Sequence, residues 1–387
     1  MRLFLAKVYG FKFLDGFMLI YPVYGVMFVE HGLTPQQVTA TLMAWSVIVF
    51  ATQIPAGILA DRYSRRWILF IAQLLRGLGF LIWLLFPGFV GYLIGFLLWG
   101  LKSAFTNGIF EALVYDELVH RDRREDYVRV SGRSQVALAL AILLSAVGAS
   151  VFVRFGYEAL IWASIASAVA GSFSAILLPP ARLTIAVSQP DPVGQLKAGF
   201  AYALKHAALP SIIALLAMNQ AFGGAMDGMW PIFGLQAGLP RDQTALLVGG
   251  ISIAQATGAA MAHRLRAHQP VLFQLFFALI GLLLVTGASI FQPWTVGLII
   301  VICGLFKVVE VNFDGRLHHA IPSEMRATIA SVKTFASQIV MTAVLPIFGQ
   351  LAGATSYRVA FFTCGLVIMA TGLSFALLDR RRVASIS

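Results

Sequence analysis

The feature that most constrains this chain is a succession of apolar segments, each near the length needed to cross a bilayer, joined by short turns. One helical span needs about 20 apolar residues. Segments of that order run roughly over 4–29, 37–60, 67–87, 89–114, 130–153, 157–178, 209–236, 243–262, 270–291, 294–317, 328–352 and 357–378. Hydrocarbon offers backbone groups no partners, so each segment reads as a helix that pairs its own N–H and C=O groups. Charged residues make up 12% of the chain, about half the roughly 25% of a soluble domain. Hydrophobic residues reach 59%, which leaves too little polar surface to cover a water-soluble body. The expected class is an all-α integral membrane protein with 12 transmembrane helices.

The formal charge of +11 does not point to nucleic acid, because the basic residues lie in the turns between spans rather than on a soluble face. Cys303 and Cys364 both sit in apolar stretches and imply no disulfide framework. The first apolar segment carries Lys12 and Asp15 and runs past Val29, which reads as a first span rather than a cleaved leader.

Orientation follows from Lys and Arg. With a cytoplasmic N-terminus, twenty-one of them fall on the cytoplasmic side, and only Arg154, Arg241 and Arg358 fall outside. That asymmetry predicts both termini in the cytoplasm and a multi-pass protein of the inner membrane. The longest polar stretch, 179–208, contains Pro179, Pro180, Pro190 and Pro192. It separates an N-terminal six-helix bundle (1–178) from a C-terminal one (209–387) and acts as a cytoplasmic central loop. Its second part, Gln195 to His206, has the makings of a short surface helix.

The halves echo one another. Tyr21-Pro22-Val23-Tyr24-Gly25 matches Trp230-Pro231-Ile232-Phe233-Gly234, Ser131-Gly132-Arg133 matches Ser331-Val332-Lys333, and Tyr157 matches Tyr357. The order is kept, which supports two pseudo-symmetric bundles of parallel topology.

Between spans two and three lies Gly57-Ile-Leu-Ala-Asp61-Arg62-Tyr-Ser-Arg65-Arg66. It resembles the Gly-x-x-x-Asp-Arg-x-x-Arg-Arg signature of the major facilitator superfamily, with Ser64 where a further Gly is usual. With the six-plus-six arrangement, the resemblance covers essentially the whole chain. It implies a secondary transporter working by alternating access, needing no cofactor or metal, with a small-molecule substrate and protons as partners in a lipid bilayer, and acting as a monomer. It also implies a gate: Asp61 against the start of span eleven near Thr328, and Arg65 paired with Asp116 or Glu117 at the end of span four. Gly57 reads as a site of close helix approach. Glu111 lies within reach of Arg129 or Arg133 on the next span. The corresponding turn, Ala262-His263-Arg264-Leu265-Arg266, lacks the acid.

Ionisable residues inside spans are costly and mark pathways. Lys307, Glu310, Asp314 and His318 share an arc of span ten, either as a pathway or as an internal ladder of ion pairs. Lys12 and Asp15 are neighbours on span one, either as a pathway pair or as a permanent ion pair. On span seven Asn219, Gly223, Asp227 and Trp230 share a face. Span four holds Lys102, Thr106, Asn107 and Glu111; on a continuous helix the nine-residue separation puts Lys102 and Glu111 on opposite sides, with Lys102 toward the cavity. Arg76 in span three reads as half-exposed or paired with an acid and receives no functional role. Tyr21, Tyr24 and Trp230 are candidate cavity walls. Proton coupling would fall to an acid without a lysine beside it, and spacing favours Asp15 and Asp314 over Glu310, with Asp227 as a further candidate.

No metalloprotease, hydrolase or phosphate-loop motif occurs, so an embedded enzyme ranks below a transporter; a lipid flippase, which a large amphiphilic cavity could serve, also ranks lower. Efflux of a drug or metabolite is the leading direction, although Ser145-Ala-Val-Gly148-Ala-Ser150 in span five lacks the proline of the superfamily's antiporter motif. Import of an anionic or zwitterionic metabolite or siderophore is the alternative, since Lys102 and Lys307 offer cations on matching spans.

Overall fold

The computed structural model describes residues 1–180, 192–206, 209–265, 268–322 and 325–384. The side chains of Asp61, His318, Arg326 and Arg380 to Arg382, and all of Arg182, Pro190 and Arg266, lie outside that description. The described residues are helical, with no strand among them.

Sixteen α-helices follow in order: α1 (Arg2–Gly16), α2 (Tyr24–Glu30), α3 (Pro35–Arg62), α4 (Arg65–Leu85), α5 (Phe89–Thr106), α6 (Ile109–His120), α7 (Tyr127–Phe152), α8 (Tyr157–Ile176), α9 (Pro192–Lys205), α10 (Leu209–Asp227), α11 (Trp230–Gln236), α12 (Arg241–Leu265), α13 (Pro270–Ile290), α14 (Val296–Ala320), α15 (Arg326–Ala354) and α16 (Tyr357–Ala384). Among the described residues, ten stretches are long and apolar enough to span a membrane by themselves. Span one, expected as one helix, is broken into α1 and α2. Span four is broken into α5 and α6, and span seven into α10 and α11. With α3 as span two, the twelve-helix arrangement holds, and α9 supplies the short helix of the central stretch.

Local chemistry explains the ends and the breaks. Thr34 accepts the Gln37 N–H at 3.3 Å while the Gln37 side chain accepts the Thr34 N–H at 2.9 Å. This capping box, with Pro35 at the first position, starts α3. Gly108 has φ +80°, a left-handed value that ends α5 without the strain a side chain would add. Pro22 lies in the interruption of span one, and Pro231 opens α11 after the interruption of span seven.

The chain forms two compact units, Met1–Val187 with Pro240–Gly249, and Ser188–Leu239 with Gly250–Ser387. Within the first, α4 packs on α5 and α8, and α1 on α7 and α8. Within the second, α13 packs on α14 and α16, and α10 on α14 and α15. The third helix of each half thus meets its fourth and sixth, as the internal repeat requires. Glycines permit the closest approaches: a Cβ on Gly95 would lie 2.8 Å from the Gly79 carbonyl oxygen, and one on Gly281 2.5 Å from that of Gly365. Gly57 does not serve this way among the described residues, none of which lies within 4 Å of its would-be Cβ.

Candidate functional site

The interruption of span one leaves backbone groups of residues 14–20 without helical partners in a buried setting. Side chains from three other helices supply them. The Arg76 guanidinium on α4 donates to the carbonyls of Asp15 (2.5 Å) and Leu14 (3.2 Å). Ser167 on α8 also donates to the Leu14 carbonyl, at 3.3 Å. Ser145 on α7 accepts the Met18 N–H at 2.8 Å, and Ser164 on α8 accepts the Ile20 N–H at 3.0 Å. A cation at the end of α1 also complements the negative pole of that helix. The break is therefore a built feature, with Arg76 fully buried at its centre.

Charges gather at the same place. The Asp15 carboxylate accepts from Lys102 at 2.5 Å and from Gln73 at 2.6 Å, with Arg76 at 3.8 Å. Lys12 turns away from Asp15 toward Glu111, 3.7 Å off, and lies 4.8 Å from the centre of the Phe110 ring. Asp15 is thus partnered by Lys102 rather than by the nearby Lys12. Lys102 and Glu111 do meet one cluster, contrary to the continuous-helix expectation, because the helix is interrupted at Asn107 and Gly108. Glu111 also accepts the Gly108 N–H at 3.0 Å. Arg129 and Arg133, the expected partners on the next span, are exposed. Three cationic side chains, Lys12, Arg76 and Lys102, thus face two carboxylates, a formal surplus of one cation. Thr106 is buried and donates to the Lys102 carbonyl, whereas Asn107 is exposed.

Of the two expectations for Arg76, the acid partner is met by Asp15, and the side chain is buried rather than half-exposed. Sequence reasoning missed Gln73 and the carbonyl contacts of Arg76. Their signal was available: two polar residues three apart share one face of an otherwise apolar helix.

The second unit carries its own charges. Lys307 pairs with Glu310 at 3.0 Å, each about a third exposed. Asp314 pairs with Lys333 on α15 at 2.5 Å. The ladder reading is met between Lys307 and Glu310, while Asp314 looks to the neighbouring helix. The preference for Asp15 and Asp314 as lysine-free acids is overturned, since each has a lysine at 2.5 Å. Asn219 is buried and donates to the Phe306 carbonyl at 3.2 Å, whereas Asp227 is exposed. The helix ends between Asp227 and Trp230, so the expected common face is divided.

Two of the aromatic candidates are core. Tyr24 is buried among Phe28, Trp83, Phe96 and Trp99, with ring centres 5.4–6.3 Å apart. Trp230 is buried and stacks on Phe361 at 6.1 Å. Tyr21 is half-buried and sits edge-on to Trp99 at 6.1 Å.

In the motif turn, Arg65 pairs with Asp116, and Glu117 instead pairs with Arg121 at 2.5 Å. Arg62 is exposed, and Arg66 lies 6.0 Å from the Trp67 ring centre. At the far end of α2, Glu30 accepts from Tyr157 at 2.5 Å and from Arg241 at 2.6 Å.

The sequence matches the Major Facilitator Superfamily over residues 9–343. The chain belongs to that superfamily. Among solved structures, a mutant of nucleoside transporter NupG is similar with a TM-score of 0.78 at 12% identity, covering 98% of each chain. A POT family transporter in complex with 5-aminolevulinic acid gives 0.76 at 12% identity, over 98% of this chain and 95% of that one. A D-xylose-proton symporter gives 0.70 at 14% identity, over 97% and 96%. At these identities the likeness shows the fold. Comparison with curated proteins gives no match. Family and fold are those of multi-pass membrane transporters, not of enzymes.

Proposed function

We propose that this superfamily transporter moves a small organic anion or zwitterion, driven by protons, and that the cluster at the broken first span handles the solute's negative group. The supporting observation is the surplus cation: Lys12, Arg76 and Lys102 gather around Asp15 and Glu111, all on spans of the first unit. Ions inside a membrane are expensive unless they are matched, and a cluster that retains a surplus positive charge favours a carboxylate-bearing solute over a cationic drug. Discontinuous helices are where transporters place substrate sites, because interrupted backbone is tolerated only where protein or a cavity satisfies it. The reading takes the carboxylated-metabolite alternative over drug efflux.

The test uses proteoliposomes loaded with a pH-sensitive dye. Succinate, citrate, glutamate, salicylate, uridine and xylose are added outside under an imposed pH gradient. The expected result is internal acidification with at least one carboxylate and none with uridine or xylose. A response confined to the neutral solutes would overturn the reading.

A further inference from the structure

On the outer face of the first unit, α4 and α8 leave a groove of about 380 Å³ between them. Leu74, Leu78, Ile165 and Val169 are among the side chains that line it, and Gln73 is set in its floor. Leu74, Leu78 and Val169 are 42%, 47% and 40% exposed, and on helices that cross a bilayer such side chains meet hydrocarbon. Gln73 itself is fully buried, and its Nε2 donates to Asp15 at 2.6 Å. A carboxylate only accepts, so the amide presents its N–H to Asp15 and turns Oε1 the other way. That way lies α8, where a Cβ on Gly171 would stand 3.3 Å from Oε1. Among the described residues no donor reaches this oxygen. A buried acceptor without a donor is an exception that calls for an occupant.

We infer that the groove binds a long-chain alcohol dissolved in the bilayer, whose hydroxyl gives Gln73 Oε1 its missing donor. The walls are about as apolar as the lipid around them, so a plain acyl chain gains little by entering. A hydroxyl gains more, because hydrocarbon offers it no acceptor and Gln73 does. An ionised headgroup does not fit, since among the described lining residues Gln73 alone is polar, and it carries no charge. The groove opens on hydrocarbon, so the donor that enters through it comes from the membrane and not from water. Oε1 is covered in this arrangement, and binding therefore includes a rotamer change at the lipid-bordered rim. The ligand is then one amide away from Asp15. A donor on Oε1 polarises that amide and strengthens the bond from Nε2 to Asp15, because linked hydrogen bonds reinforce one another. Apolar alcohols thus act on the charge cluster from the lipid side.

The experiment is photolabelling of the full-length protein in phosphatidylcholine proteoliposomes with a decanol that carries a diazirine on its chain. Mass spectrometry then locates the labelled residues. The label should concentrate on the groove residues of α4 and α8. Unlabelled n-decanol should displace it at a membrane concentration about tenfold below that needed for methyl nonyl ether, which keeps the chain length and lacks the donor. Val169→Trp, placed at the lipid-facing rim and away from Gln73, fills the groove and should lose the label. Equal displacement by alcohol and ether in the wild type would overturn the hydroxyl site without recourse to any variant. Label absent from the groove, or spread evenly over lipid-facing residues such as Leu373 of α16, would also overturn it. Undiminished labelling of the groove in Val169→Trp would do the same.

Discussion

Arg76 carries more of the first span's geometry than any residue of the sequence motif. It is fully buried, donates to two carbonyls at the end of α1 and stands beside Asp15. Removing one partner from such a network leaves a buried charge and unpaired carbonyls, which costs about 3–5 kcal/mol. Arg76→Ala should therefore lower the thermal midpoint in detergent sharply, while Arg133→Ala, at an exposed position, should stay within about 0.5 kcal/mol of wild type. Equal midpoints for the two variants would contradict the assignment. The sequence displayed Arg76 in full view, yet its role was illegible. Its partners are backbone carbonyls exposed only because span one breaks, and a hydropathy pattern does not show a break. Asp15 and Lys102 were legible as costly intramembrane charges, but their pairing required two helices to be brought side by side.

At the scale of the element, the interruptions carry the argument. Twelve apolar segments and the six-plus-six repeat could be read from periodicity and length. The breaks in spans one, four and seven could not, because α1 with α2, α5 with α6, and α10 with α11 each occupy one uninterrupted apolar stretch of sequence. Pro22 and Pro231 were visible as a repeat, and the structure shows them as parts of matching discontinuities. The break at Gly108 cancels a helical-wheel argument that was correct for a continuous helix. Two predictions belong here. Ser145→Ala with Ser164→Ala leaves the Met18 and Ile20 N–H groups unpaired, at about 1–3 kcal/mol each. The double variant should show faster hydrogen exchange at residues 17–23 than wild type, and unchanged protection there would contradict the support assigned to the serines. Gly108→Ala must adopt φ +80°, costing about 1–2 kcal/mol. It should lower the thermal midpoint, whereas Gly57→Ala, with open space at its Cβ, should not.

For the molecule as a whole, the placement of Lys and Arg leads us to propose that both ends lie in the cytoplasm. Fluorescent or protease-accessible tags at either terminus should report from that side, and a tag outside would break the charge argument. The two bundles share helix pairings but not charge placement. In the second, Asp314 on span ten pairs with Lys333 on span eleven. In the first, the corresponding Arg133 is exposed, and Glu111 has turned to Lys12. Each half thus repeats the fold, and the surplus cation belongs to the first. The central claim is that this cluster handles a transported anion. It is tested most directly by the transient current that a carboxylate concentration jump evokes from proteoliposomes on a solid-supported membrane. The succinate, citrate, glutamate and salicylate set should evoke a proton-dependent current in wild type. Lys12→Gln with Glu111→Gln, which removes the more exposed ion pair of the cluster together, should abolish that current with the protein still folded. A current of wild-type size in the double variant would contradict the account.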